Sequence, residues 1–293
     1  DFVTLIGNNA FSDCTGLTKV TIGSSVNSIG TAAFKNCNSL TSINIPESVT
    51  SIGPSAFWKN TNLISVILNG SAPTTGANAF SEVADSATAY ILDDNLSSFG
   101  VIGDSWNGLV LNVPLSFQED DDGSYTLINC DSTIKGHLDI PSSHQGSPVT
   151  TVANFAFSDC SGLTSIIIPD TVTSIHHGAF KDCSGLTSIT IPDTVTAINT
   201  NTFEGCTSLS SINISDNMIA IGPSAFAGCT SLTNVIIGKG LEAIYTGAFS
   251  GCSSLTSITI PDNVTVIESS VFYNCSSLTS INLPKDLTLI PNT

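Results

Sequence analysis

The chain contains no arginine, and its only basic side chains are seven lysines set against 24 aspartates and glutamates. The formal net charge of −17 repels phosphate backbones, so nucleic acid is not expected as a partner. Anionic membrane surfaces are opposed for the same reason. No apolar run approaches the roughly 18 residues that a membrane-spanning helix needs, so no direct membrane insertion is expected. No two cysteines form a C-x-x-C pair, which weighs against a zinc or dithiol reading. Also missing are G-x-S-x-G, H-E-x-x-H, a Walker loop and a dinucleotide fingerprint; a non-enzymatic protein without cofactor is the expectation. Charge of either sign is sparse, at 11% of residues, while 41% are hydrophobic. That apolar content supports a packed core and excludes a chain disordered by composition.

What is present is a repeat. Phe11, Phe34, Phe57 and Phe80 are spaced by 23 residues, and so are Phe157, Phe180, Phe203, Phe226, Phe249 and Phe272. One unit, residues 186–208, reads LTSITIPDTVTAINTNTFEGCTS. Leu186, Ile189 and Ile191 end in a two-residue alternation, the mark of a short strand. Pro192 and Asp193 then turn the chain, and Val195, Ile198 and Phe203 are apolar on the return path. A unit this short cannot bury its own apolar face, but stacked units can, with parallel strands about 4.8 Å apart. A 23-residue period falls within the leucine-rich-repeat range. The fold class expected is therefore a repeat solenoid, mainly β with little helix, its short parallel strands on the concave face.

The pattern I-P-x-x-V-x-x-I…A-F-x-x-C-x-x-L, as in residues 191–209 and 260–278, resembles the BspA-like, or Treponema pallidum-type, leucine-rich repeats. The resemblance covers about four-fifths of the chain. It implies an extracellular or cell-surface protein that recognises or adheres to surface proteins or glycans of host or neighbouring cells.

Phe80 and Phe157 are 77 residues apart, which breaks the period. Two arrays are expected: residues 1–115, with a C-terminal cap over 81–115, and residues 116–293, with an N-terminal β-hairpin cap over 116–150. In the first cap a strand is expected at 90–92, a turn or short helix at 93–99, and Trp106 as a plug over the last rung. In the second, strands are expected at 125–129 and 134–140, preceded by the polar turn QEDDDG at 118–123. The chain starts at Asp1 inside one repeat and stops at Thr293 inside another, which reads as a piece of a longer protein.

Eight of nine cysteines share one repeat column: Cys14, Cys37, Cys160, Cys183, Cys206, Cys229, Cys252 and Cys275. Asn60 stands in that column in the third unit. Asparagine can replace a cysteine that bonds the turn backbone but not half of a disulfide, so free buried thiols are expected. Cys130 lies outside the column and is the best candidate for an accessible thiol, though a buried cap strand is the simpler reading. Phe157, Phe180, Phe203, Phe226, Phe249 and Phe272 are assigned to the core. His176 and His177, with His144 near the second cap, read as loop residues, and His137 falls within the expected strand over 134–140. Asp170, Asp193, Asp216 and Asp262 form a column that could hold Ca²⁺ weakly, with an Asx-type turn as the plainer reading. The binding surface expected is the outward strand positions of the second array: Ser165, Ser188, Thr190, Ser211, Asn213, Asn234, Ser257, Thr259, Ser280 and Asn282. In the first array the corresponding residues include Ser65 and Ile67. This surface lacks the Trp, Tyr and Arg anchors of tight interfaces and suits weak contacts summed by repetition. The alternative is a structural spacer or a self-assembling filament or surface-layer unit, whose partner would be itself.

Overall fold

In the computed structural model, which describes residues 3–91, 95–101, 105–285 and 287, the chain is a β-solenoid with a 23-residue rung. Among the described residues the one α-helix is Leu96–Phe99. The chain divides into two compact units, Asp1–Leu115 with Ile134–His137, and Ser116–Thr133 with Leu138–Thr293.

Each rung contributes two strands, of which sequence alternation foretells only the first. In the second unit, Ser211–Ile214 pairs in parallel with Asn234–Ile237, and Ser257–Thr259 with Ser280–Asn282, each in 23-residue register. A second ladder comes from the return path, through Ala197–Ile198, Ala220–Ile221, Ala243–Ile244 and Val266–Ile267. Leu186, Ile189, Ile191, Val195 and Ile198 of one rung all point into the space between these ladders and are 8% exposed or less.

The Ala-Phe turn forms the third side. Backbone amides run from rung to rung there, as in Phe203 N to Ala225 O (2.8 Å) and Phe226 N to Ala248 O (2.7 Å). The tight bends need left-handed residues at two columns. One is filled by Asn201, Ser224, Gly247 and Ser270, the other by Asp182, Gly205, Gly228, Gly251 and Asn274. Glycine and short polar side chains tolerate positive φ best, which explains why these columns vary only among small residues in most rungs.

Phenylalanine rings stack through the core. From Phe157 to Phe272 successive centroids lie 5.0–5.7 Å apart, with planes within 15°. Phe157, Phe180, Phe203, Phe226 and Phe249 are fully buried. Phe272 is only half-buried. In the first unit the stack runs Phe11, Phe34, Phe57, Phe80 at 5.0–5.4 Å. It ends on Trp106, tilted 48° at 5.7 Å from Phe80, with Phe99 edge-on to it at 5.2 Å.

The cysteine column locks the same turn. In six of the eight the Sγ donates to the phenylalanine carbonyl one rung back, among them Cys183 to Phe157 (3.0 Å), Cys206 to Phe180 (3.1 Å), Cys229 to Phe203 (3.2 Å) and Cys252 to Phe226 (3.2 Å). That carbonyl also accepts the amide of its own rung's cysteine, as in Cys206 N to Phe203 O, 3.2 Å. Asn60 reproduces the arrangement, its Nδ2 donating to Phe34 O (2.8 Å) and Phe57 O (2.7 Å). All nine cysteines are free, and eight are buried. Burial pushes the Cys206 and Cys252 thiols up to about 12. Cys14 is exposed rather than buried. Cys130 is buried, and contact with Cys160, together with burial, raises its pKa.

At the start of the second unit, Leu115–Glu119 lies beside Tyr125–Cys130, which pairs in parallel with Ser147–Val152. The insertion after Pro141 folds into a tight antiparallel pair, Ser143–His144 against Ser147–Val152. This places His144 in the interior, 5% exposed, stacked on Phe117 at 4.3 Å and edge-on to Tyr125 at 4.7 Å. His144 is therefore a packed residue, contrary to its reading as a loop residue. The expected strand over 134–140 is shorter, Gly136–Asp139. Leu92 of the expected cap strand, and Asp93 and Asp94 of the expected turn, lie outside the described residues.

Three outcomes test this core. Phe203→Ala should lower unfolding free energy by about 3–5 kcal/mol, the range for large core truncations, in a denaturant titration. Asn60→Leu, which leaves two buried carbonyls without their donor, should cost about 1–3 kcal/mol, while Asn60→Cys should be nearly neutral. The raised thiols bind protons in the folded state that the unfolded chain has released. Their stability contribution is therefore full below pH 9.0, the ordinary thiol value, and is lost as pH rises toward about 12. The melting temperature should fall across that window, and at pH 8 a thiol reagent should label Cys14 alone until the chain unfolds.

Candidate functional site

The strand ladder of the second unit presents its outward side chains to solvent. Ser188, Thr190, Ser211, Asn213, Asn234, Ser257, Thr259, Ser280 and Asn282 are all exposed, because strand side chains alternate and Ile189, Ile212, Val235 and Ile258 take the inward positions. Ser165 departs from this set. It is 7% exposed.

In the first unit the corresponding positions are more covered: Lys19 and Thr21 are exposed, but Ser42 and Asn44 are half-buried. Ser65 and Ile67 are 1% and 2% exposed, against the expectation that both point to solvent. The segment Ile134–His137 belongs to this unit and lies on its strands. Gly136 approaches Ser42 so closely that an added Cβ would fall 2.1 Å from the serine Oγ. A glycine with φ of 85° serves both the bend and the close approach.

Along the open face, hydroxyls run in a ladder. Thr187 Oγ1 donates to Thr164 O (2.9 Å), Ser210 Oγ to Thr187 O (3.3 Å), Thr233 Oγ1 to Ser210 O (3.1 Å) and Thr279 Oγ1 to Thr256 O (3.1 Å). These bonds fix the hydroxyl orientation and leave lone pairs toward solvent. Amid the polar positions two isoleucines stand out, Ile167 at 48% and Ile236 at 55% exposure. Ile236 lines an open groove of about 690 Å³ with Asn234, Ser257, Thr259, Lys239 and Asp262.

The aspartate column sits at the rim of this face and ties rungs together. Asp216 Oδ1 accepts the Lys239 amide at 2.7 Å, and Asp262 Oδ1 accepts the Lys285 amide at 3.4 Å. Lys285 Nζ also lies 3.9 Å from Asp262. Asp170 and Asp193 are likewise exposed at the turn. Among the described residues no group of three or more His, Cys, Asp or Glu is placed to hold a metal ion. No helix among them is long and apolar enough to cross a membrane.

One feature of this surface escaped sequence reasoning. Exposed aromatic rings lie along the Ala-Phe turn and not on the strand face: Phe155 is 46% and Tyr273 58% exposed. Trp58, half-buried, donates from Nε1 to Glu82 Oε1 (3.0 Å) and lies under Lys35 and Lys59, 5.0 and 4.7 Å from its ring. The two left-handed columns become recognisable only after the turn geometry is known.

The repeat is shared with known proteins. A leucine-rich-repeat protein of Treponema pallidum is 27% identical over 61% of this chain and 83% of its own, with a TM-score of 0.57. A leucine-rich-repeat protein of Eubacterium ventriosum is 25% identical over 92% of this chain and 80% of its own, with a TM-score of 0.51. A leucine rich cell surface protein of Faecalibacterium prausnitzii is 27% identical over 96% of this chain and 69% of its own, with a TM-score of 0.42. No curated protein matches the chain. The family model of the BspA type leucine rich repeat region matches residues 1–101, 128–226, 150–252 and 196–293, and the chain therefore belongs to the BspA-type leucine-rich-repeat family.

Proposed function

We propose that this chain is a non-enzymatic recognition or adhesion module at a cell surface, and that its partner docks on the strand face of the second unit. The observation that carries this is Ile236, a large aliphatic side chain left 55% exposed in a groove that it lines together with Asn234, Ser257, Thr259, Lys239 and Asp262. An exposed isoleucine gains nothing for solubility, and burial against a partner supplies what solvent does not. Its strand, Asn234–Ile237, is held in register by Ser211–Ile214 on one side. The rest of the face is neutral and polar, so long-range steering is weak. Contact is short-ranged, and affinity accumulates over successive rungs. The partners that fit are uncharged patches on surface proteins or glycans of host or neighbouring cells.

The test is adhesion of beads coated with the chain to epithelial or neighbouring bacterial cells. Ile236→Asp and Ser188→Asp both place a charge on the face without touching the core, so melting temperature should hold. Ile236→Asp should lower adhesion at least tenfold, about 1.4 kcal/mol, and Ser188→Asp should lower it less. Adhesion unchanged by both would place the docking surface elsewhere.

A further inference from the structure

The left-handed column of the Ala-Phe turn holds one residue that does not belong there by backbone chemistry. At this position the rungs carry Asn9, Ala32, Ser55, Asn78, Gly178, Asn201, Ser224, Gly247 and Ser270, but the rung before Gly178 carries Phe155, at φ 58°. A bulky aromatic side chain is an outlier in this conformation. Nor does the ring repay the strain by entering the core, because Phe155 is 46% exposed. It lies against the next rung, where a Cβ on Gly178 would come 2.4 Å from ring atom Cε1. Gly178 thus both adopts φ 59° and leaves room for the ring. The His177 imidazole meets the ring edge-on, centroids 4.9 Å apart at 88°.

Beside this ring is a groove of about 350 Å³ lined by Asn154, His176, His177, Asn199 and Thr200. The backbone holds these walls: Phe155 N donates to His177 O (3.0 Å), and Gly178 N to Thr200 O (3.0 Å). Asn199 spends Nδ2 on Ile175 O at 2.6 Å and keeps Oδ1 as an acceptor. The lining carries amides, a hydroxyl and imidazoles, with no carboxylate, lysine or thiol. Such a set does not select an ion of either sign. A third metal ligand is also lacking among the described residues. An aromatic face bordered by neutral donors and acceptors is complementary to a pyranose ring, whose C–H face stacks and whose hydroxyls bond at the edge. Strain retained at an exposed residue is accounted for by such a contact.

The geometry points to a second binding site, separate from the strand face, at which Phe155, Asn154, His176, His177, Asn199 and Thr200 take a single uncharged sugar residue of a neutral glycan. Phe155 is the stacking platform, and the groove side chains read the hydroxyls.

The experiment is a titration of the full chain, with isotope-labelled histidine, against D-galactose, D-mannose and N-acetyl-D-glucosamine, followed by NMR. At least one sugar should shift the His176 and His177 imidazole signals saturably in the millimolar range and leave His144 unmoved. Phe155→Asn should abolish the shifts and at the same time raise the melting temperature, because asparagine accepts this backbone. Phe155→Trp should retain binding. Ile236→Asp, on the strand face, should leave the titration unchanged, so failure here is distinguishable from failure of the strand-face reading. The proposal is overturned if none of the three sugars shifts His176 or His177, or if the shifts persist in Phe155→Asn. A lower melting temperature in Phe155→Asn would make the ring a packing element and would overturn it as well.

Discussion

The carbonyl oxygen of the turn phenylalanine is the point on which this molecule hangs. It has two lone pairs, and the structure uses both: one for the amide of its own rung's cysteine, the other for the thiol of the next rung. The first bond closes the turn and the second ties neighbours together. Because both converge on one atom, a rung cannot rotate or slip against the next without leaving a buried acceptor unsatisfied. The phenylalanine ring attached to the same residue then stacks on its equivalents. Polar and apolar locking are thus carried by a single residue per rung, and the strand ladders inherit their register from it.

With register set at the turn, the other surfaces are free to vary. The strand face of the second unit carries serine, threonine, asparagine and isoleucine at equivalent positions, and the paired strands keep the 23-residue register. The aspartates at the rim cap the amides of the following rung. Carboxylates placed on the surface at this density hold the net charge far from zero, which keeps the exposed strands from associating through bare edges.

Much of this was legible in the residues. The 23-residue period located the rungs, the alternation located the first strand of each, and Asn60 in the cysteine column argued for hydrogen bonding over disulfides. What remained hidden has three physical origins. Two-residue strands such as Ala220–Ile221 are too short to show a period, so the second ladder was read only as a return path. Ser65 and Ile67 are buried in the unit that also takes up Ile134–His137, a segment some seventy residues later in the chain whose Gly136 meets Ser42; no local pattern encodes such a return. His144 was read as a loop residue because its insertion is polar, yet the hairpin it forms turns the imidazole between Phe117 and Tyr125. The exposed strand positions of the second unit were legible apart from Ser165, whereas Phe155 was not, because its oddity lies in a backbone angle and not in its side chain.

The tilt of Trp106 has a meaning beyond the first unit's core. A row of parallel rings is a template: each flat face invites another ring of the same orientation, as a crystal face invites the next layer. Turning the final ring by 48°, and setting Phe99 edge-on against it, removes that invitation. The antiparallel pairing of Ser105–Trp106 with Leu109–Asn112 does the same for the backbone, because the strand beyond it runs the wrong way to seed a parallel rung. The first array is therefore finite by construction: its growth is poisoned at one end by a misoriented aromatic ring.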